Sequence, residues 1–143
     1  MRQLTMVEGK SERLDRILRN LHNDVGESLR TCVVTNERGL IVAAIDTHST
    51  TNESVAAMVS LVSDTSHRVA QNLQLEKTSL VQVSTPSDKF VVLEFNVHGR
   101  PFRLGVIVRG DTSRRSIRQL LRRRNVDQIL LRAAKEIRKV MEE

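Results

Sequence analysis

Thr31-Cys32-Val33-Val34-Thr35-Asn36-Glu37-Arg38-Gly39-Leu40-Ile41-Val42-Ala43 is the stretch on which the fold turns. Two runs rich in β-branched and apolar residues, Leu29 to Thr35 and Leu40 to Ile45, flank four turn-forming residues ending in a glycine that can take positive φ. That pattern predicts a pair of antiparallel strands. Cys32 lies inside the first run and is the chain's one cysteine. It cannot form an internal disulfide and reads as a small buried hydrophobe, which fits a reducing, cytoplasmic setting.

Working outward, Leu14, Ile17, Leu18, Leu21 and Val25 follow the spacing of one helical face. They predict a helix capped by Ser11 and stopped at Gly26. Beyond the hairpin, a polar stretch over 46–51 leads into a second helix from Asn52 to about Asn72. Val55, Met58, Val59, Val62, Ser66, Val69 and Leu73 form its expected buried stripe, with Ala57, Leu61, Asp64 and Arg68 on the opposite side. Leu61 and Ala57 then make an apolar spot on a polar face, which points to contact with another chain.

Three more strands are expected: Ser79 to Thr85, Phe90 to Val97 and Phe102 to Val108. The turns between them, Pro86-Ser87-Asp88 and His98-Gly99-Arg100-Pro101, are short enough to make antiparallel neighbours. Helix returns from Ser113 through Ile117, Leu120 and Leu121, and again from Asn125 through Ile129, Leu130, Ala133, Ile137, Val140 and Met141, with a break expected near Asn125. The order is helix, strand, strand, helix, strand, strand, strand, helix. The expected class is α/β of the α+β type, a five-stranded antiparallel sheet with helices on both faces. The 143 residues suit a single domain with its core over about 11–108 and a basic helical extension over 113–143.

With 39% hydrophobic and 28% charged residues the composition is that of a folded globular protein rather than a disordered one. No apolar run approaches the roughly 18 residues that span a bilayer. The sequon Asn52-Glu53-Ser54 is a short, common pattern and is read as chance. No phosphate-cradling glycine motif occurs, and the four histidines (22, 48, 67 and 98) lack partners at metal-ligand spacing. Cys32 in an apolar strand is an inert thiol rather than a nucleophile. The sequence offers no catalytic residue, cofactor site or metal site, and the chain is not expected to be an enzyme.

Charge is concentrated in one segment. From Arg100 to Arg124 nine arginines stand against a single acid, Asp111, a net +8 that leaves −2 for the rest of a chain whose total is +6. On a helix from Ser113, Arg115, Arg118 and Arg122 share a face, and Arg114 neighbours Arg118. These four are candidate partner-binding residues, for an acidic protein surface or for nucleic acid or anionic lipid. A solvated cationic face is the competing reading. Stacking on single strands lacks its usual means, because there is no Trp or Tyr.

The order of these elements resembles the roadblock/dynein light chain family. Val25-Gly26 with the strand, polar turn and strand over 31–43, followed by the helix opening Val55-Ala56-Ala57-Met58-Val59-Ser60-Leu61, carries that resemblance, which covers roughly Ser11 to Val108. The resemblance implies a roadblock/longin-like, profilin-like architecture with the central helix on one face of the sheet and the terminal helices on the other. It implies homodimers formed through third strands and central helices, and a role as scaffold or regulator of partner proteins such as Ras-like small GTPases. By position, the dimer edge would be Leu80, Val81, Gln82, Val83 and Ser84, beside Ala57, Leu61, Asp64 and Arg68. The basic carboxyl-terminal helix departs from the family pattern.

Overall fold

The computed structural model describes residues 2–46, 52–109 and 116–143, with side chains described over 9–45, 52–109 and 127–143. The elements run α1 (Arg2–Val25), β1 (Leu29–Thr35), β2 (Ile41–Asp46), α2 (Asn52–Asn72), β3 (Leu80–Ser84), β4 (Asp88–Val97), β5 (Arg100–Arg109) and α3 (Ser116–Glu142). All strand pairs are antiparallel, and the sheet order is β2-β1-β5-β4-β3. The expected class and element order hold.

The β1–β2 hairpin closes as its composition requires. Asn36 Oδ1 accepts the backbone N–H groups of Arg38 and Leu40, each at 3.0 Å, and Gly39 turns at φ +79°. The β4–β5 turn is tighter than expected, since Val97 already faces Arg100. His98 and Gly99 both adopt positive φ, as a two-residue hairpin demands.

Two other expectations are corrected. Helix α1 begins at Arg2, well before Ser11, so Ser11 lies within the helix. Helix α3 is continuous from Ser116 to Glu142, and Asn125 interrupts nothing. An asparagine inside a helix costs no more than about 0.7 kcal/mol relative to alanine, too little by itself to break one.

The sheet divides the core unequally. On one face α1 and α3 bury Leu14, Ile17, Leu18 and Leu21 with Leu130, Ala133, Ala134, Ile137 and Val140 against Cys32, Val34, Val91, Leu93, Leu104 and Val106. On the other face, among the described residues, α2 is the one helix. Its fully enclosed cluster is Val33, Val55, Val59 and Val92, while Ala44, Val62, Phe90 and Ile107 are only partly covered. Burial of Cys32 in the larger cluster pushes its thiol up to about 12, because the thiolate would be stranded without water.

Candidate protein-interaction surface

The two outer strands differ in how they present themselves. On β2, Val34 faces Ala43 while Thr35 faces Ile41, so Val42 is the extra residue of a bulge. That kink breaks the regular row of edge groups. On β3 the register with β4 runs without interruption from Leu80 opposite Leu93 to Ser84 opposite Lys89. The five residues Leu80, Val81, Gln82, Val83 and Ser84 contain no charge, no proline and no bulge, and all but half-buried Val81 are exposed. A flat, uncharged edge of this kind is a template for another strand.

Helix α2 meets the sheet through small residues. Ala56, Ser63 and Ala70 are buried together with Val55 and Val59. The close approach depends on Gly105 in β5, where an added Cβ would overlap the Val59 side chain. The turn of the first hairpin reaches the same helix, since a Cβ at Gly39 would come to 2.7 Å from Ser60 Oγ. This packing rotates α2 relative to the expected stripe. Periodicity puts Met58, Val69 and Leu73 on the core side, yet Met58 and Val69 are half exposed and Leu73 is 64% exposed. Small residues fit the tight interface better than the large ones that dominate a hydropathy pattern.

The outward face is consequently more apolar than periodicity predicts. Ala57 and Leu61 are four residues apart along it, Val69 follows eight residues later and Leu73 stands just past the helix end, with Met58 beside Ala57 and Leu61 56% exposed near the middle. Arg68 is exposed on the same helix. Asp64 is also exposed, but its carboxylate turns back to Arg103 of the chain's own sheet, Oδ1 to Nη2 3.7 Å.

That contact belongs to a polar cluster with no counterpart in the sequence-based expectations. Glu94 on β4 and Arg103 on β5 are directly paired in the sheet, with side chains 8% and 9% exposed, and the Arg103 Nε–H donates to Glu94 Oε1 at 3.1 Å. His67 joins from α2, its Nε2 3.1 Å from Glu94 Oε1 and its Nδ1 3.1 Å from Thr78 Oγ1. Ser66 Oγ and Thr78 Oγ1 lie 3.1 Å apart, and Lys77 Nζ is 3.8 Å from Glu94 Oε2. The cluster ties the second half of α2 to β4, β5 and the approach to β3. Opposite charges at cross-strand spacing are the available signal, but it appears only once the β4–β5 register is known.

The first half of α2 leaves an apolar groove of about 350 Å³ toward β3, lined by Val55, Met58, Val83, Phe90 and Ile107. Val83 is the lining residue on the open edge strand, so groove, helix stripe and sheet edge form one surface. Of the arginine candidates, Arg114 and Arg115 lie outside the described residues. Arg118 and Arg122 fall on the α3 backbone, where their side chains are not described.

No protein-family model matches the chain, and no curated protein matches it by sequence. Solved structures do. Myxococcus xanthus MglB superposes with a TM-score of 0.70 at 15% identity, over 90% of this chain and 94% of that one. The gliding protein MglB from Thermus thermophilus gives 0.72 at 14%, over 93% and 91%. A roadblock/LC7 domain from Streptomyces avermitilis gives 0.71 at 13%, over 90% and 98%. At such identities the likeness is one of fold, and it extends over nearly the whole length of both partners. By its architecture, the chain has the fold of the MglB and roadblock/LC7 structures.

Proposed function

We propose that this chain is a non-catalytic homodimeric scaffold that binds partner proteins, with a Ras-like small GTPase as the expected partner class. One observation carries the dimer: the uncharged free edge of β3 and the exposed apolar stripe of α2 adjoin on the face where the core is least covered. Pairing there would satisfy the open backbone groups and bury Leu61, Met58 and Val83 in one step. Support for self-association also comes from an MglB structure of the same fold, TM-score 0.70 at 14% identity, described as having a tetrameric arrangement. The GTPase class rests on resemblance to roadblock proteins.

Sedimentation velocity over a concentration series tests the dimer. The expected result is a dimer at tens of micromolar and a monomer for Leu61→Glu, with the fold of the variant retained because Leu61 is already exposed in the single chain. A strictly monomeric parent chain refutes the reading. Titration with a Ras-like GTPase, loaded with GDP or with a non-hydrolysable GTP analogue, tests the partner class.

A second reading, nucleic-acid binding through Arg114, Arg115, Arg118 and Arg122, is favoured by the +8 segment. It requires salt-dependent binding of a fluorescent duplex that weakens when these arginines become glutamines. No binding at low salt ends it.

A further inference from the structure

We propose that a second copy of this chain pairs on β3 in one particular register, with Gln82 facing the partner's Gln82 on the two-fold axis. The proposal rests on the homodimer reading above and specifies how the two edges meet.

The backbone decides which residues can bond outward. The Glu94 N–H donates to the Ser79 carbonyl and the Thr85 N–H to the Asp88 carbonyl, each at 2.8 Å. Along an antiparallel ladder the bonded pairs alternate, so Ser79, Val81, Val83 and Thr85 direct their backbone groups to β4. Leu80, Gln82 and Ser84 direct theirs to the open edge.

A second β3 must match outward groups with outward groups. With the axis at Gln82, Leu80 faces the partner's Ser84, Gln82 faces the partner's Gln82, and Ser84 faces the partner's Leu80. Every outward group of both strands is then used. A slip of one residue sets outward groups against inward ones. With the axis moved to Val83, Leu80 meets the partner's Pro86, which has no N–H to give. With the axis moved to Val81, Ser84 meets the partner's Thr78, which precedes the strand and whose hydroxyl is held between Ser66 and His67.

The side chains agree with the backbone. In this register Val81 lies across from the partner's Val83 on the α2 face, and Gln82 faces its own copy on the α1/α3 face. Helix α2 runs opposite to β3, because Met58 lies by Val83 at one end while Ser66 and His67 lie by Thr78 and Glu94 at the other. A two-fold axis through Gln82 therefore brings the two Leu61 side chains together. It also carries the partner's Val69 and Leu73 toward Met58 and the groove beside Val83.

Single cysteine variants test the register. In an antiparallel pair, a residue facing its own copy has Cα atoms close enough for a disulfide, whereas one offset by a residue from the axis does not. Cys32 is fully buried and stays in place. Oxidation with diamide is expected to convert Gln82→Cys to a covalent dimer on a denaturing gel and to leave Val81→Cys and Val83→Cys as monomers. Crosslinking of Val81→Cys or Val83→Cys with Gln82→Cys unlinked overturns the register and leaves the dimer standing. A parent chain that sediments as a dimer while none of the three crosslinks places the interface away from β3 and overturns the proposal. A monomeric parent removes the homodimer reading itself.

Discussion

Replacing Arg103 with methionine is expected to cost about 2–4 kcal/mol of folding stability, a figure set by the burial of its ion pair. Arg103 and Glu94 are both more than nine-tenths buried and bonded at 3.1 Å. Removing one partner of such a pair leaves a charge without its counterion, which typically costs about 3–5 kcal/mol. Two features moderate the figure here. His67 still contacts the orphaned carboxylate at 3.1 Å, and Lys77 reaches it at 3.8 Å from a largely exposed position. The lost contact to Asp64 adds little, because that carboxylate is in solvent and such pairs contribute about 0–1 kcal/mol. Methionine keeps most of the aliphatic stem, so packing loss is small. Urea unfolding at a concentration where the chain is monomeric measures the effect, as a lower midpoint at unchanged slope. Pairing Arg103→Met with Glu94→Leu is expected to recover most of the loss, for a coupling of about 2 kcal/mol or more. A single-variant cost under about 0.5 kcal/mol, or a double variant equal to the sum of its parts, would refute the idea of a buried, mutually dependent pair.

Gly105→Ala should destabilise the chain by about 1–3 kcal/mol, because the new methyl group overlaps Val59 beneath α2; Gly105→Ala with Val59→Ala should regain part of it in the same assay. Gln74 closes α2 at φ +56° with the Leu75 N–H bonded to the Ala70 carbonyl at 2.8 Å, so Gln74→Gly should raise the urea midpoint by about 0.5–1 kcal/mol in stability. Cys32 should resist maleimide at pH 8 in native buffer and react fully in urea, since only the unfolded thiol ionises there. The same shift has a definite sign for stability. Above the ordinary thiol range and up to about 12 the unfolded chain loses a proton that the folded chain keeps, so stability falls as pH rises through that window.

The elements are legible wherever local composition determines them. β1 matches its expected bounds, and α2 spans the stretch from Asn52 to Asn72 that its periodicity marks out. What is not legible depends on who packs against whom. The rotation of α2 follows from Ala56, Ser63 and Ala70 settling over Gly105, and small residues carry little weight in a hydropathy pattern. The Glu94–Arg103–His67 cluster joins residues from three elements and becomes visible only through the strand register. For the candidate surface, the edge residues and Leu61 follow from resemblance and periodicity, whereas Met58, Val69 and Leu73 read as inward and stand outward. The start of α1 lies upstream of the expected cap because a capping serine is a local preference that a helix continuing past it overrides.

The contrast between the bulged β2 and the even β3 bears on how far assembly can go. A sheet with two equally receptive margins has no reason to stop at two copies, and successive chains could stack into a ribbon of indefinite length. Here the extra residue at Val42 interrupts one margin near its start, while the other is regular along its whole length. In the proposed dimer the two β3 margins are used up by pairing, and the irregularity opposite Val34 would hinder regular extension at the two margins that remain.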